Sequence, residues 1–368
     1  FSGAKLQMIS IVVPTYREAE NVPKLVAAVD LVMEGEQLEY EMLIVDDNSP
    51  DDIVELVQGL VDRYPIRLIQ PTGRERDLSL AVIDGVMDAR FDTIVVMDAD
   101  LSHPPEMIPE LVKPIEQDGS RFVVGSRYTA GGSFDREWSL WRFLNSHIAT
   151  IIAKPLTECS DPMSGFVAFN RGFVDLDELK PIGYKIGLEL MVRGRLTSVV
   201  EVAIEFKDRT IGASKMNLAQ QWKYLRHLRR LYLHRFKGWA EFVHYGAVGA
   251  SGFIVDIAFY YLLQLFGVEH RVARALSFWP AVIWNWALNR IATFSERERR
   301  PKARQWIEFV MTSLVGFSVN WGIYFVLTTE VAFFDTYRLI ALVAGIGAAS
   351  LFNFAASTLF VYSEKRAH

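Results

Sequence analysis

Cysteine is nearly absent: Cys159 stands alone in 368 residues. That excludes an intramolecular disulfide framework and any cysteine-cluster zinc or iron–sulfur site. The seven histidines are scattered, without metal-ligand spacing. No G-x-x-x-x-G-K-[S/T] loop and no strand-associated G-x-G-x-x-G is present, so ATPase and dinucleotide-binding readings lose support. The first apolar run, 8–13, is too short for a signal peptide and ends at Pro14; it reads as a buried strand. Residues 1–7 read as an appended or disordered lead. Nucleic acid is not expected as a partner of a chain with net charge −5.

That net charge hides a division. Residues 222–368 hold 17 Lys and Arg against 9 Asp and Glu, a net of +8; residues 1–221 hold 22 against 35, a net of −13. The mean hydropathy of +0.15 is also high for a soluble enzyme. An acidic N-terminal part is joined to a basic, apolar C-terminal part.

In the N-terminal part, apolar runs 8–13, 40–45, 66–70 and 93–97 alternate with helical patterns reaching Met33 and over 53–64 and 78–89. This predicts a mostly parallel sheet with helices on both faces. Polar residues fall just after the strand ends, where open α/β sheets bind ligands.

In the C-terminal part, segments 242–266, 275–294, 306–329 and 339–362 are each long enough to span a bilayer. Burying all of them in a soluble core would leave too little polar surface to cover them. Basic residues cluster before the first segment (Lys223, Arg226, Arg229, Arg230, Arg235, Lys237), between the second and third (Arg297, Arg299, Arg300, Lys302, Arg304) and after the fourth (Lys365, Arg366). The positive-inside rule then places both termini and the acidic domain in the cytoplasm. An internal repeat is visible: Phe242-Val243 and Val248-Gly249 return as Phe309-Val310 and Val315-Gly316, 67 residues on. Trp284-Asn285-Trp286 and Phe294-Ser295-Glu296 return as Phe352-Asn353-Phe354 and Tyr362-Ser363-Glu364, 68 residues on. Two related helix hairpins are expected over 239–368. Between the parts, Leu218, Trp222, Leu225, Leu228, Tyr232 and Phe236 recur at helical spacing with basic residues among them. Residues 216–238 therefore read as an amphipathic helix on an anionic bilayer surface, with packing against the domain as the alternative.

Asp98-Ala99-Asp100 follows an aliphatic strand. Two carboxylates at i and i+2 at a strand's carboxyl end can hold a divalent cation against a diphosphate, and hard oxygen ligands suit Mg²⁺ or Mn²⁺. Pro14-Thr-Tyr16-Arg-Glu18 and Val45-Asp46-Asp47 end the first two strands and supply an aromatic ring and carboxylates for a nucleoside. Such a site needs no glycine-rich phosphate loop.

Pro14-Thr-Tyr-x-Glu18, Val45-Asp-Asp-Asn-Ser-Pro50, Met97-Asp-Ala-Asp-Leu-Ser-His-Pro-Pro105, Gly125-Ser-Arg127, Asp161-Pro-Met-Ser-Gly-Phe166 and Arg209-x-x-Gly-x-Ser-Lys215 together resemble the dolichyl-phosphate mannose synthases. These are inverting family 2 glycosyltransferases with a GT-A fold. The resemblance covers about residues 8–235, with the catalytic domain at 8–215; the remainder is similar to GtrA-like membrane domains. It implies transfer of mannose from GDP-mannose to dolichyl or another polyprenyl phosphate at the cytoplasmic face. Pro14, Tyr16, Glu18, Val45 and Asp47 would contact the guanosine. Asp98, Ala99 and Asp100 would line the diphosphate, with Asp100 the main metal ligand and Ser102 where many relatives have a Gln ligand. Arg127, Arg142, Arg209 and Lys215 would bind phosphates, with Arg127, Arg142, Ser146 and Arg209 toward the acceptor. Asp98, Asp100, Arg127 and Arg209 would form the catalytic set. Arg17, Asp77 and Ala213 depart from the family pattern, standing where Asn, Gly and Glu are usual.

An acceptor phosphate is already an anionic nucleophile near pH 7, so cations and a metal suffice without a general base. Segments 72–77 and 130–133 are expected to move, the first over the donor and the second to admit a lipid phosphate. The alternatives are a polyprenyl-phosphate glucosyltransferase using UDP-glucose, and a lipid-linked sugar flippase or scaffold with an inactive transferase domain. The intact Asp98, Asp100 and arginine set argues against the latter. A processive polysaccharide synthase is disfavoured by the lack of a Gln-x-x-Arg-Trp motif.

Overall fold

In a computed structural model, which describes residues 8–134, 140–206, 218–295, 297 and 300–362, the chain divides into two compact units, Phe1–Arg235 and Phe236–His368. The first unit is built on two long apolar strands, β1 (Met8–Thr15) and β2 (Glu39–Asp46), each buried from its second residue onward. Burial on both faces is the mark of parallel strands covered by helices. Their polar residues are paired: the Ser10 hydroxyl donates to Glu41 at 2.7 Å, and the Arg67 guanidinium donates to the same carboxylate at 2.9 Å.

In order, α1 (Val22–Glu36) follows β1. After β2 come α2 (Ile53–Gln58), β3 (Ile66–Ile69), α3 (Leu78–Asp88), β4 (Thr93–Val96), α4 (Ile108–Gln117) and β5 (Arg121–Ser126). Then come β6 (Ser133–Phe134), α5 (Leu140–Ala153), β7 (Val167–Asn170), α6 (Ile186–Arg193), β8 (Ser198–Ala203) and β9 (Glu205–Phe206). The seven-stranded sheet runs β3-β2-β1-β4-β7-β5-β8, with β7 antiparallel to both neighbours and the other pairs parallel. The expected fold class is present. Helix α2 is shorter than the pattern over 53–64 suggested: it stops at Gly59, and the chain continues as turns to β3.

Helix α7 (Leu218–Leu265) carries the chain from one unit into the other, with non-helical backbone at Lys237. Before that break, Leu228 and Leu231 are buried in a cluster with Ala153, Leu156, Met163 and Leu188. The Tyr224 and Tyr232 hydroxyls donate to the carbonyls of Ala149 and Ile152, and His227 lies 2.8 Å from Glu189. One face of the connecting helix thus packs on the first unit, while Trp222 and Leu225 on the other face stay exposed.

The second unit adds α8 (His270–Leu288), α9 (Lys302–Glu330), the short α10 (Ala332–Thr336) and α11 (Arg338–Ala356). Among the described residues, three helices are long and apolar enough to cross a membrane: Gln220–Leu265, Lys302–Glu330 and Val343–Val361. The second expected segment, 275–294, falls on α8, which is not among these three in the described residues. The repeat has a structural counterpart. A π-helical turn, Asn289–Thr293, follows α8, and another, Ser357–Val361, follows α11. The residues after these turns, Phe294 and Tyr362, stack at 4.3 Å. A cavity of about 300 Å³ is lined by Asn285, Asn289, Ser313, Asn320, Ser350 and Asn353 among others. Gly252 and Gly316 each lie directly beneath the amide of an asparagine, Asn285 and Asn353 respectively.

Candidate active site

Strand β1 lies between β2 and β4 and is parallel to both, so the segments leaving their carboxyl ends share one edge of the sheet. The chain winds to opposite sides of β1 there, which makes a crevice at the switch point. Each of these exits turns through left-handed backbone: Arg17 (φ 61°), Asn48 (φ 60°) and Leu101 (φ 61°). Asn adopts this region readily; Arg and Leu do so at a cost, and such strain gathers at functional sites.

Beyond β4, Asp100 is buried, and its Oδ1 accepts from the Ser102 backbone N–H at 3.1 Å and hydroxyl at 2.6 Å. Asp98 remains accessible, with 34% of its side chain exposed. Its backbone N–H donates to His103 Nδ1 at 2.9 Å. With Nδ1 accepting, a neutral His103 carries its proton on Nε2, 3.9 Å from Asp98 Oδ2. Burial holds His103 below its ordinary pKa, partly opposed by Asp98. The ring stacks on Phe166 at 5.0 Å, which fixes the Asp98–His103 turn. Ala99 is buried between the two carboxylates. Among the described residues, no three His, Cys, Asp or Glu side chains group to hold a metal. The local donors are two carboxylates and the Ser102 oxygen, a hard set that fits Mg²⁺ or Mn²⁺ if substrate oxygens and water complete the shell.

The expected nucleoside end is assembled from β1 and β2. Pro14 and Val45 are buried in the sheet, so a ligand there meets their backbone rather than their side chains. Tyr16 and Glu18 stand at the crevice; Glu18 accepts from the Asn21 amide at 2.7 Å. Both oxygens of Asp47 hold segment 72–77: Oδ1 accepts from Arg74 at 2.9 Å, and Oδ2 from the Asp77 N–H at 2.7 Å. Arg74 also donates to Asp84 at 2.7 Å, and the Arg76 guanidinium lies 4.6 Å from the Tyr16 ring centre. Asp77 caps α3 through Ser79 and Leu80 and accepts from the Gly183 N–H at 3.0 Å. The segment expected to move is docked on Asp47 and Tyr16, two of the residues expected at the donor. The carboxylate of Asp77, a departure from the family pattern, anchors the end of the segment to α3 and to Gly183.

At the end of β5, Arg127 is bound to Asp161 through its backbone N–H (3.1 Å), Nε (2.8 Å) and Nη2 (2.8 Å). Asp161 opens the turn to Gly165, whose absent side chain leaves room beside Asp98 and His103. Within that turn, the Met163 carbonyl accepts from the Lys185 ammonium at 2.9 Å. Burial, with Arg127 adding to it, lowers the Lys185 pKa to about 8, against the opposing pull of Asp161 and Asp98.

Thus Asp98, Ala99, Asp100, Ser102 and Arg127 share one region, and Tyr16, Glu18 and Asp47 share the β1–β2 end. Arg142 and Ser146 lie on α5, but their side chains are outside the described residues, as are Arg209 and Lys215 altogether. Reading the sequence missed Lys185 and the tether of Arg127 to Asp161. Asp161 stood in a recognisable motif; a half-buried lysine just before a helix carries no such signal.

Residues 10–175 match the glycosyl transferase family 2 model, and residues 244–362 match the GtrA/DPMS transmembrane domain. The dolichol-phosphate mannosyltransferase of Pyrococcus furiosus is 36% identical over 92% of this chain and 94% of its own length. Those of Mycosarcoma maydis and Saccharomyces cerevisiae are 40% and 35% identical, over 64% and 69% of this chain and 83% and 93% of theirs. A crystal structure of glucosyl-3-phosphoglycerate synthase from Mycobacterium tuberculosis, in complex with Mn²⁺, UDP and glucosyl-3-phosphoglycerate, aligns over 62% of this chain and 80% of that one. The identity is 19% and the TM-score 0.46. The chain belongs to the dolichol-phosphate mannosyltransferases, family 2 glycosyltransferases joined here to a GtrA/DPMS-type transmembrane domain.

Proposed function

We propose that the protein transfers mannose from GDP-mannose to dolichyl phosphate, with inversion, at the cytoplasmic face of a membrane that its C-terminal domain spans four times. The observation that carries this reading is the accessible Asp98 beside buried Asp100, at the same sheet edge as Tyr16 and Asp47 and close to Arg127 and Lys185. Tyr16 and Asp47 hold the guanosine, and Asp98 and Asp100 face the diphosphate. Arg127 is aimed by Asp161 at the acceptor phosphate, joined by Arg142, Ser146, Arg209 and Lys215.

The acceptor phosphate oxygen attacks the anomeric carbon from the face opposite the diphosphate. The new C–O bond forms as the bond to the diphosphate breaks, and GDP leaves with the electron pair. No proton has to move, because the nucleophile is already an anion; hence no side chain serves as base. What the protein supplies is two phosphates held in line despite their repulsion, which needs fixed cations in a water-poor crevice. Asp100, with Asp98 and Ser102, would hold Mg²⁺ or Mn²⁺; when bound, that ion neutralises the leaving diphosphate. The exposed Trp222 and Leu225 and the neighbouring Arg226 suit a bilayer surface and would bring the crevice to the lipid phosphate.

A donor panel tests the reading. Purified protein in dolichyl phosphate-containing vesicles, given GDP-mannose or UDP-glucose, is expected to yield dolichyl phosphate mannose by mass spectrometry. Exclusive turnover of UDP-glucose would overturn it.

A further inference from the structure

Lys185 sits just before α6, and its ammonium donates to the Met163 carbonyl at 2.9 Å. An ammonium carries three donors. Among the described residues, no carboxylate lies within ion-pairing distance of it, and its hydrogen bond is to a neutral carbonyl. The residue is half-buried, and its other close neighbour is the Tyr184 ring, 4.8 Å from Nζ to the ring centre. A cation partly withdrawn from water with no carboxylate in contact suits a place where an anion arrives. The surroundings say which anion. Met163 is in the turn that joins Asp161, the partner of Arg127, to Gly165, which packs beside Asp98. Arg127, Asp161 and Asp98 all act on the Lys185 charge. Arg127 already spends Nε and Nη2 on Asp161, whereas Lys185 spends one bond. The turn is itself rigid: the Ser164 hydroxyl donates to the Gly125 carbonyl at 2.7 Å, and the Ser164 carbonyl abuts Gly187 in α6. Lys185 is therefore a pre-aimed cation, placed by the same turn that places Arg127.

We infer that Lys185 is a phosphate-binding residue of the transfer site, donating its remaining N–H groups to a phosphate oxygen of the donor diphosphate or of the acceptor monophosphate. This rests on the function proposed above. A charged hydrogen bond lost from such a site corresponds to about a 10- to 100-fold weakening.

The test uses the full-length protein in vesicles, with Lys185→Gln, Lys185→Met and Lys185→Arg compared with the parent. Initial rates are measured while GDP-mannose and dolichyl phosphate are varied in turn, and inhibition by inorganic pyrophosphate is measured alongside. Lys185→Gln is expected to raise KM about 10- to 100-fold for one substrate, at an unchanged melting temperature, with Lys185→Arg recovering most of it. A rise for GDP-mannose, with weaker pyrophosphate inhibition, assigns the donor; a rise for dolichyl phosphate alone assigns the acceptor. If Lys185→Met does not fold, Lys185→Gln, which keeps an N–H for the Met163 carbonyl, carries the test. Both KM values within twofold of the parent, or a fall in kcat alone, would overturn the assignment. A parent that forms no lipid-linked mannose is a different result: it defeats the proposed function and is seen before any variant is made.

Discussion

Arg127 and Asp161, 34 residues apart, form a two-pronged ion pair at 2.8 Å on each prong, with Asp161 fully buried and Arg127 nearly so. Asp161 is not an incidental neighbour: it fixes the plane of the guanidinium. Asp161→Asn keeps the shape and removes the charge. It is expected to lower stability by about 3 kcal/mol, since it strands a buried cation. It should also raise KM for dolichyl phosphate more than for GDP-mannose. Thermal melting and two-substrate kinetics check both.

Segment 72–77 is tied to Asp47 by Arg74 and by the Asp77 N–H. Binding a nucleoside through Asp47 therefore requires exchange of these bonds. Arg74→Ala frees Asp47 of a bond that the nucleoside must displace, so it should lower KM for GDP-mannose several-fold, through faster binding with little change in off-rate, while leaving KM for dolichyl phosphate unchanged. Stopped-flow binding of a fluorescent GDP analogue reads both rates directly. Trypsin cleavage at Arg74 or Arg76 in the parent, with and without GDP, reports whether the segment opens.

Arg17 occupies left-handed backbone at φ 61° on an exposed turn. Arg17→Gly, which removes the Cβ, should stabilise the first unit by about 1 kcal/mol. A higher melting temperature supports this; a lower one would mean that the contact of the Arg17 guanidinium with the Tyr16 ring, 5.4 Å from the ring centre, outweighs the strain.

Glu189 lies fully buried between His227 and the Lys180 N–H. Burial pushes its pKa up, but the bonds from His227 and Lys180 outweigh this and hold it below the usual carboxylate range. The unfolded chain, with a pKa of about 4.3, takes up the proton first as pH falls. The stabilisation is therefore complete above about pH 5 and is lost as pH drops through the folded value. Glu189→Gln should flatten the fall in melting temperature below about pH 5 while starting from a lower value at neutral pH.

A Cβ at Gly316 would fall on the Asn353 amide, whereas one at Gly322 on the same helix meets nothing within 4 Å. Gly316→Ala should destabilise the membrane domain by about 1–3 kcal/mol, and Gly322→Ala should not. Unfolding in detergent with added SDS distinguishes them.

These cases show how far the linear sequence reached. The sheet was legible because a buried parallel strand must be continuously apolar and must end where the chain turns polar: 8–13, 40–45 and 93–97 became β1, β2 and β4. Asp98 and Asp100 were legible because a short motif carries its own spacing. Helix α2 was over-extended because Gly59 ends it inside an apparently helical pattern. The linker helix was read by its exposed face; its buried face, with His227 and Leu231, depends on partners dozens of residues away. Lys185, Asp161 with Arg127, and the strap on Asp47 are all long-range contacts, for which periodicity holds no record.

The account stands most directly on Asp100. Transfer of radiolabelled mannose from GDP-mannose to dolichyl phosphate should be measured for parent and Asp100→Ala side by side, with Mg²⁺ or Mn²⁺ supplied and melting temperatures matched. The account predicts labelled lipid from the parent and a loss of at least about 100-fold in Asp100→Ala. Transfer by a folded Asp100→Ala at a rate near the parent's would contradict it.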